Sequence, residues 1–331
     1  MKILITGATG YIGQRVMARL LNQGHEIHAL CRRKPEGELF NNPRVRVFEG
    51  DITSFESVKE AASNCDQTYH LAAYARIWAK QPKIYFEVNV NGTMNVLEAA
   101  LQAGVKKVVF TSTGSTYGTS DGQPISETRI RLTDFFNEYE SSKFMAEEKV
   151  QGYVRRGLPV VTVNPVRVYG PGVLSESNAL SHLIKAYITG NWHIIPGNGN
   201  NIGSYTYIDN VVEGHILAME RGVSGERYIL GGVNADFNTF FSTLQKVSDR
   251  YFYMFRVPMP LMLVYGWKEE IFARWFGSEP QITRKWIRKY YYDTACSSDK
   301  AVASLGYSIT PLEEGIQRTL TWLREDLNID Y

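Results

Sequence analysis

The sequence predicts an α/β fold: a doubly wound parallel sheet with a smaller C-terminal α+β subdomain. Three observations predict it. Short β-branched runs alternate with segments whose apolar residues recur every three or four positions. The first run, Lys2-Ile3-Leu4-Ile5, enters glycines spaced three apart, Gly7, Gly10 and Gly13, which open a helix. The alternation holds to about Gly170 and then weakens. Parallel strands need a crossover, and the intervening helices supply it.

After the glycines, Ile12, Val16 and Leu20, with Met17 and Leu21 beside them, form one apolar helix face closed by Gly24. Ile27–Cys31 reads as the second strand and Val45–Phe48 as the third. Ser54 caps a short helix to about Asn64, and Thr68–Ala72 follows as a strand. A longer helix, about Ile84 to Ala103, stops at Gly104. Lys107–Ser112 and Val160–Asn164 are further strands, with a helix over about Tyr139–Arg155 between them. Ser204–Gly222 is expected to return to the sheet. Residues 1–170 and 204–222 therefore form the sheet domain, and residues 171–203 and 223–331 the smaller subdomain. Tyr251–Phe276 is aromatic and apolar, interrupted by Arg256, Lys268, Glu269, Glu270 and Arg274. It reads as a packed helix–helix core or as a lid.

Composition narrows the partners. The 331 residues carry a formal net charge of +2 and no long Lys/Arg run, so no nucleic-acid partner is expected. No stretch approaches the roughly 20 uninterrupted apolar residues of a membrane span, so no membrane partner is expected either. Met1 leads directly into the first strand, leaving no room for a signal peptide. Cys31, Cys65 and Cys296 are an odd set without metal spacing, which suits a reducing compartment. A cytoplasmic location follows, with no metal site.

Thr6-Gly7-Ala8-Thr9-Gly10-Tyr11-Ile12-Gly13 sits between a strand and a helix. Missing side chains let backbone approach a pyrophosphate, whose charge meets unpaired helix N–H groups. The loop resembles the Thr-Gly-x-x-Gly-x-x-Gly loop of extended short-chain dehydrogenases/reductases, the epimerase/dehydratase superfamily. The resemblance implies a Rossmann-type sheet binding a nicotinamide dinucleotide through Gly7, Thr9, Gly10, Tyr11, Ile12 and Gly13. It makes the smaller subdomain substrate-binding. An acid at the end of the second strand would accept from the adenine ribose of NAD, whereas an added phosphate needs cations. Cys31 is followed by Arg32 and Arg33, so NADP is expected, with NAD as the alternative. Asp51 and Ile52 match the family's adenine contacts, and Leu71, Ala72 and Ala73 its close pass under the cofactor.

Tyr139 and Lys143 lie four apart on one helix face, and among 20 tyrosines no other has lysine at that spacing. A held cation favours the phenolate and makes tyrosine a usable acid–base, so both are expected to be catalytic. Aligning Thr113-Gly114-Ser115-Thr116-Tyr117-Gly118 with the family's strand-end run makes Thr113 the hydroxyl on the substrate oxygen. The same alignment puts Ser112 beside the nicotinamide and leaves Ser115 a weaker substrate candidate. Asn164 and Pro165 match the segment closing over the nicotinamide, an Asn-Pro start typical of the reductase branch. Tyr74, Arg76 and Trp78 are candidates for the substrate wall. Asn89 reads equally as a site neighbour or a helix-packing residue, and His70 as structural.

The resemblance runs to Lys300-Ala301 and Leu305-Gly306-Tyr307 and is similar to the dihydroflavonol 4-reductase branch. It implies an NADPH-dependent ketone or aldehyde reductase that takes its proton from Tyr139. The rival is a nucleotide-sugar epimerase or dehydratase with tightly held NAD. Against it, Gly203 stands where sugar-nucleotide enzymes carry an arginine, and Gly114-Ser115 where dehydratases carry Asp-Glu. A non-catalytic NADP-binding redox sensor is the third class, disfavoured by the intact Tyr139–Lys143 pair. The substrate is thus a small carbonyl compound or a sugar, and a homodimer through residues 84–103 and 139–156 is expected.

Overall fold

The computed structural model describes residues 1–174 and 178–329; residues 175–177 and 330–331, within the expected smaller subdomain, lie outside it. Seven strands form one parallel sheet: β1 (Lys2–Thr6), β2 (Glu26–Cys31), β3 (Val45–Glu49), β4 (Gln67–His70), β5 (Lys107–Thr111), β6 (Val160–Pro165) and β10 (Arg227–Leu230). They lie in the order β10-β6-β5-β4-β1-β2-β3, so the direction of winding reverses between β1 and β4. Ligands of such sheets bind outside the carboxyl ends of the strands at that reversal. Burial on both faces explains why β1 and β5 read as nearly unbroken apolar runs.

Helices cover both faces. On one side α1 (Tyr11–Asn22) packs with α7 (Ile208–Arg221), and Val16, Met17, Leu20, Val211 and Ala218 belong to one core cluster. On the other, α2 (Phe55–Ala62), α4 (Thr93–Gln102) and α5 (Glu138–Arg155) close smaller clusters around Leu4, Val96, Phe110 and Ala146. The expected long helix over Ile84–Ala103 is observed in three pieces. α3 (Lys83–Phe86) passes through a π-helical stretch, Glu87–Gly92, into α4. Such widened turns mark places where a side chain is re-aimed, and Asn89 lies inside this one.

The C-terminal half departs from the expected division. Ser204–Gly222 does not return a strand to the main sheet. β9 (Ile202–Tyr207) sits between β7 (Arg167–Tyr169) and β11 (Val233–Asp236) in a separate three-stranded sheet. What returns to the main sheet there is helix α7. The strand that joins β6 is β10, whose residues fall within the range assigned to the subdomain. The subdomain proper adds α6 (Ala179–Ile188), the β8–β12 pair (Ile194–Pro196, Phe255–Val257), α8 (Phe237–Ser248), α9 (Met259–Phe276) and α10 (Arg284–Lys289). It ends in α11 (Asp299–Leu305) and α12 (Leu312–Glu325). All three cysteines are free and buried. No helix among the described residues is long and apolar enough to cross a membrane.

Candidate active site

The glycine loop closes on the carboxyl ends of β1 and β4. Gly7 turns at φ +77°, and a Cβ there would come within 2.6 Å of the Ala72 backbone nitrogen. A Cβ at Gly13 would lie 2.0 Å from the Gly7 carbonyl oxygen, and one at Gly10 3.2 Å from the same atom. These neighbours are backbone and cannot swing aside. Leu71 N donates to Thr6 O at 3.0 Å, which fixes the Leu71-Ala72-Ala73 segment beneath the loop. α1 starts at Tyr11 with no side-chain cap and no acid in its first turn, leaving its positive end for an anion. A bare backbone cradle at an uncapped helix end fits a dinucleotide pyrophosphate.

Around the cradle the expected residues divide. Thr9 is exposed and Ile12 half-buried. The Tyr11 hydroxyl donates to Gly170 O at 3.0 Å, and its ring abuts Gly172. Tyr11 therefore braces loop 170–172 against α1, and burial pushes its phenol well up. Arg32 and Arg33, directly after β2, are exposed and have no carboxylate partner among the described residues. Asp51 Oδ1 accepts from Thr53 N and Oγ1, both at 2.8 Å, and Ile52 fills the space beside Gly92.

Tyr139 stands in the first turn of α5, where Asn137 caps the helix by accepting from Glu140 N at 3.0 Å. Thr113, leaving β5, brings its hydroxyl to the Tyr139 phenol. One turn along, Lys143 is 1% exposed and donates from Nζ to Thr111 O at 2.8 Å. The structure thus brings Thr113, Tyr139 and Lys143 to one strand end. Their charges differ from the expected ones. Burial pushes the Tyr139 phenol up to about 12, the Thr113 hydrogen bond works against that, and Glu140 adds to it. Burial pushes the Lys143 ammonium down to about 7, opposed by Glu147. In this arrangement the phenol is not acidified; it keeps its proton at neutral pH.

Other candidates turn elsewhere. Ser112 donates to Glu147 Oε1, which also accepts from Asn164 Nδ2 at 2.7 Å and Thr116 Oγ1 at 3.1 Å. The polar side chains of Ser112 and Asn164, expected beside the nicotinamide, are held in this buried knot, and Ser112 N donates to Val163 O at 2.8 Å; Pro165 ends β6. Asn89 accepts from Tyr74 N at 2.7 Å and donates to Ser142 Oγ at 2.9 Å, so it clamps the Tyr74 loop to α5. His70 bridges Thr6 and Thr93 at 2.7 and 2.9 Å, and burial lowers it to about 3, a structural role as expected. Trp78 borders a cavity of about 770 Å³ with Ile77, Asn137, Arg274, Trp275 and Arg288. Its wall mixes rings with charged side chains, among them Glu138, Glu270, Arg274 and Arg288. Tyr74 packs edge-on against Tyr85, another residue of that wall, at 4.9 Å.

Sequence reasoning missed a cluster beside the phenol. Glu140, 1% exposed, pairs with Arg131 Nη2 and Lys289 Nζ, each at 2.9 Å. Lys289 also donates to Ser115 Oγ at 2.6 Å, and Ser115 accepts from Thr113 at 3.3 Å. α10 is thereby tied to the candidate catalytic hydroxyls across 174 residues of chain. No local signal flags Lys289, whereas Glu147, four after Lys143, could have been read from helix spacing.

Comparison with known proteins agrees with this geometry. The "NAD dependent epimerase/dehydratase family" matches residues 3–231, spanning the cradle, Tyr139 and the sheet through β10. A "Putative dihydroflavonol 4-reductase" of Synechocystis sp. is 26% identical over 97% of this chain and 94% of its own. A "Sterol demethylase protein B" of Methylococcus capsulatus is 26% identical over 98% and 99%. Among solved structures, gox2253 superposes with a TM-score of 0.81 at 29% identity over 99% of each chain. The UDP-glucose 4-epimerase of Thermotoga maritima, at 24% identity and a TM-score of 0.81 over 99% of this chain and 100% of its own, shares the fold. With cradle, strand order and strand-end tyrosine in place, this chain belongs to the NAD-dependent epimerase/dehydratase family, in the extended short-chain dehydrogenase/reductase group.

Proposed function

We propose that the chain is an NADPH-dependent reductase of ketones or aldehydes. The observation that carries this reading is the meeting of Thr113 and Tyr139 at the end of β5, one turn from buried Lys143. When bound, the nicotinamide supplies the hydride. Thr113 holds the substrate oxygen, and Tyr139 delivers the proton that oxygen needs once hydride reaches the carbon. Lys143, while protonated, gives its charge to the phenolate left behind, in a buried setting where water screens it less than at the surface. Glu140, fixed by Arg131 and Lys289, holds the first turn of α5. Arg32 and Arg33 supply cations for the 2′-phosphate of NADPH.

One observation favours the epimerase reading. A Cβ at Gly203, where the clamp arginine of sugar-nucleotide enzymes is lacking, would fall 2.4 Å from an Arg167 guanidinium nitrogen. Arg167 thus presents a cation at that place from β7. The two readings part on cofactor handling. NADPH binding in preference to NADH, with ketone-dependent oxidation of NADPH, supports the reductase. NAD that stays with the purified protein through gel filtration, without such turnover, refutes it in favour of the epimerase.

A further inference from the structure

α9 buries only Met262, Gly266 and Ala273 fully. A helix packed on one side ordinarily shows charges on the other. Here Leu261, Tyr265, Phe272, Trp275 and Phe276 are exposed by 63, 42, 50, 80 and 72%. Their spacing of four, seven, three and one places them along one face of the helix. Phe272 and Phe276 stack loosely on each other at 5.3 Å.

The charge around this stripe is net positive. Glu270, Glu279 and Glu138 are paired with Arg284, Arg76 and Lys285, while Glu269 accepts from the neutral Gln281 N and keeps its charge. Lys80, Lys268, Arg274 and Arg288 are exposed and have no carboxylate partner among the described residues. A second copy of the chain would set this cationic face against itself, because a two-fold contact pairs like patches. An anionic lipid surface complements both features. Rings enter the boundary between headgroups and acyl chains, and cations meet the lipid phosphates. Lys268, Glu269, Glu270 and Arg274 interrupt the helix, which is not apolar enough to cross a bilayer.

We propose that the outer face of α9, with its flanking unpaired cations, docks on an anionic lipid bilayer. This goes beyond the proposed reaction, although Lys80, Arg274, Trp275 and Arg288 also border the cavity beside Trp78, so the docking face and that cavity share a wall. The test is flotation of the full chain with phosphatidylcholine vesicles and with phosphatidylcholine–phosphatidylglycerol vesicles. Retention on the anionic vesicles that falls with added salt is expected. Lys268→Gln should weaken it about fivefold, and Phe272→Ser with Phe276→Ser should abolish it. Neither variant should shift the thermal unfolding midpoint. Absent retention, equal retention on both vesicles, or a dimer in sedimentation that the Phe272→Ser, Phe276→Ser variant dissociates would each overturn the proposal.

Discussion

At the carboxyl ends of the central strands, Gly7 and Gly13 set backbone against backbone with clearances that no side chain survives. On the C-terminal cap, α9 leaves large rings in solvent and rests on a few buried residues. The first region is fixed by covalent geometry and sheet register. The second is held by scattered long-range contacts, such as Lys289 to Ser115 and Arg76 to Glu279. The contrast teaches how each region is held: by backbone clearances at the strand ends, and by side-chain contacts between distant parts of the chain on the cap.

The comparison breaks most sharply at the phenol. Tyr139→Phe removes the proton donor and leaves the cradle intact. Carbonyl-dependent oxidation of NADPH should fall about 10²- to 10⁴-fold with cofactor binding unchanged. A variant keeping full turnover would place the chemistry elsewhere. Next in size are the cations after β2. Replacing Arg32 and Arg33 by Gln should weaken NADPH about 10- to 100-fold in a fluorescence titration and leave NADH alone, the worth of a charge-assisted contact. Equal losses for both dinucleotides would show that the arginines do not read the phosphate. Gly13→Ala sharpens the claim about rigidity. With backbone 2.0 Å from the added carbon, it should destabilise the fold by about 1–3 kcal/mol, read as a lower thermal midpoint. The same small-to-large change at exposed Gly37, where nothing lies within 4 Å, should leave the cradle's dinucleotide affinity intact.

The two regions were also unequally legible. Helices α1, α2 and α5 follow from local periodicity, and strands β1, β5 and β6 from apolar runs that burial on both faces leaves; β3 and β4 follow from their place in the alternation. The dyad at 139 and 143 was readable because one helical turn separates its members. Strand β10 was misassigned, since Arg227–Leu230 is short and its pairing with β6 depends on residues some sixty positions away. The Glu140–Lys289 pair was invisible for the same reason. Apolar residues usually pack, so the sequence of the aromatic helix reads as core or lid, and only the three-dimensional structure shows Leu261, Phe272, Trp275 and Phe276 left at least half exposed. Counting interrupting charges excluded a span; it could not address a helix lying on a surface.

The last expected effect concerns Lys143 and separates a buried site from a wet one. Its ammonium lies 1% exposed and is pushed down to about 7, while in the unfolded chain it returns to about 10.4. Between those values the unfolded chain binds the proton and the folded protein does not. Stability should therefore rise with pH from about 7 towards 10, by up to about 1.4 kcal/mol per pH unit. Tyr139, raised to about 12, contributes stability that is lost only as pH climbs past about 10, outside this window. Lys143→Met keeps the side-chain length and removes the titration. Urea midpoints measured from pH 6 to 9 should show the variant more stable than the parent at pH 6, with the gap closing as pH rises. Parallel curves would mean that water reaches the ammonium, and that Lys143 stabilises a phenolate far less than its burial implies.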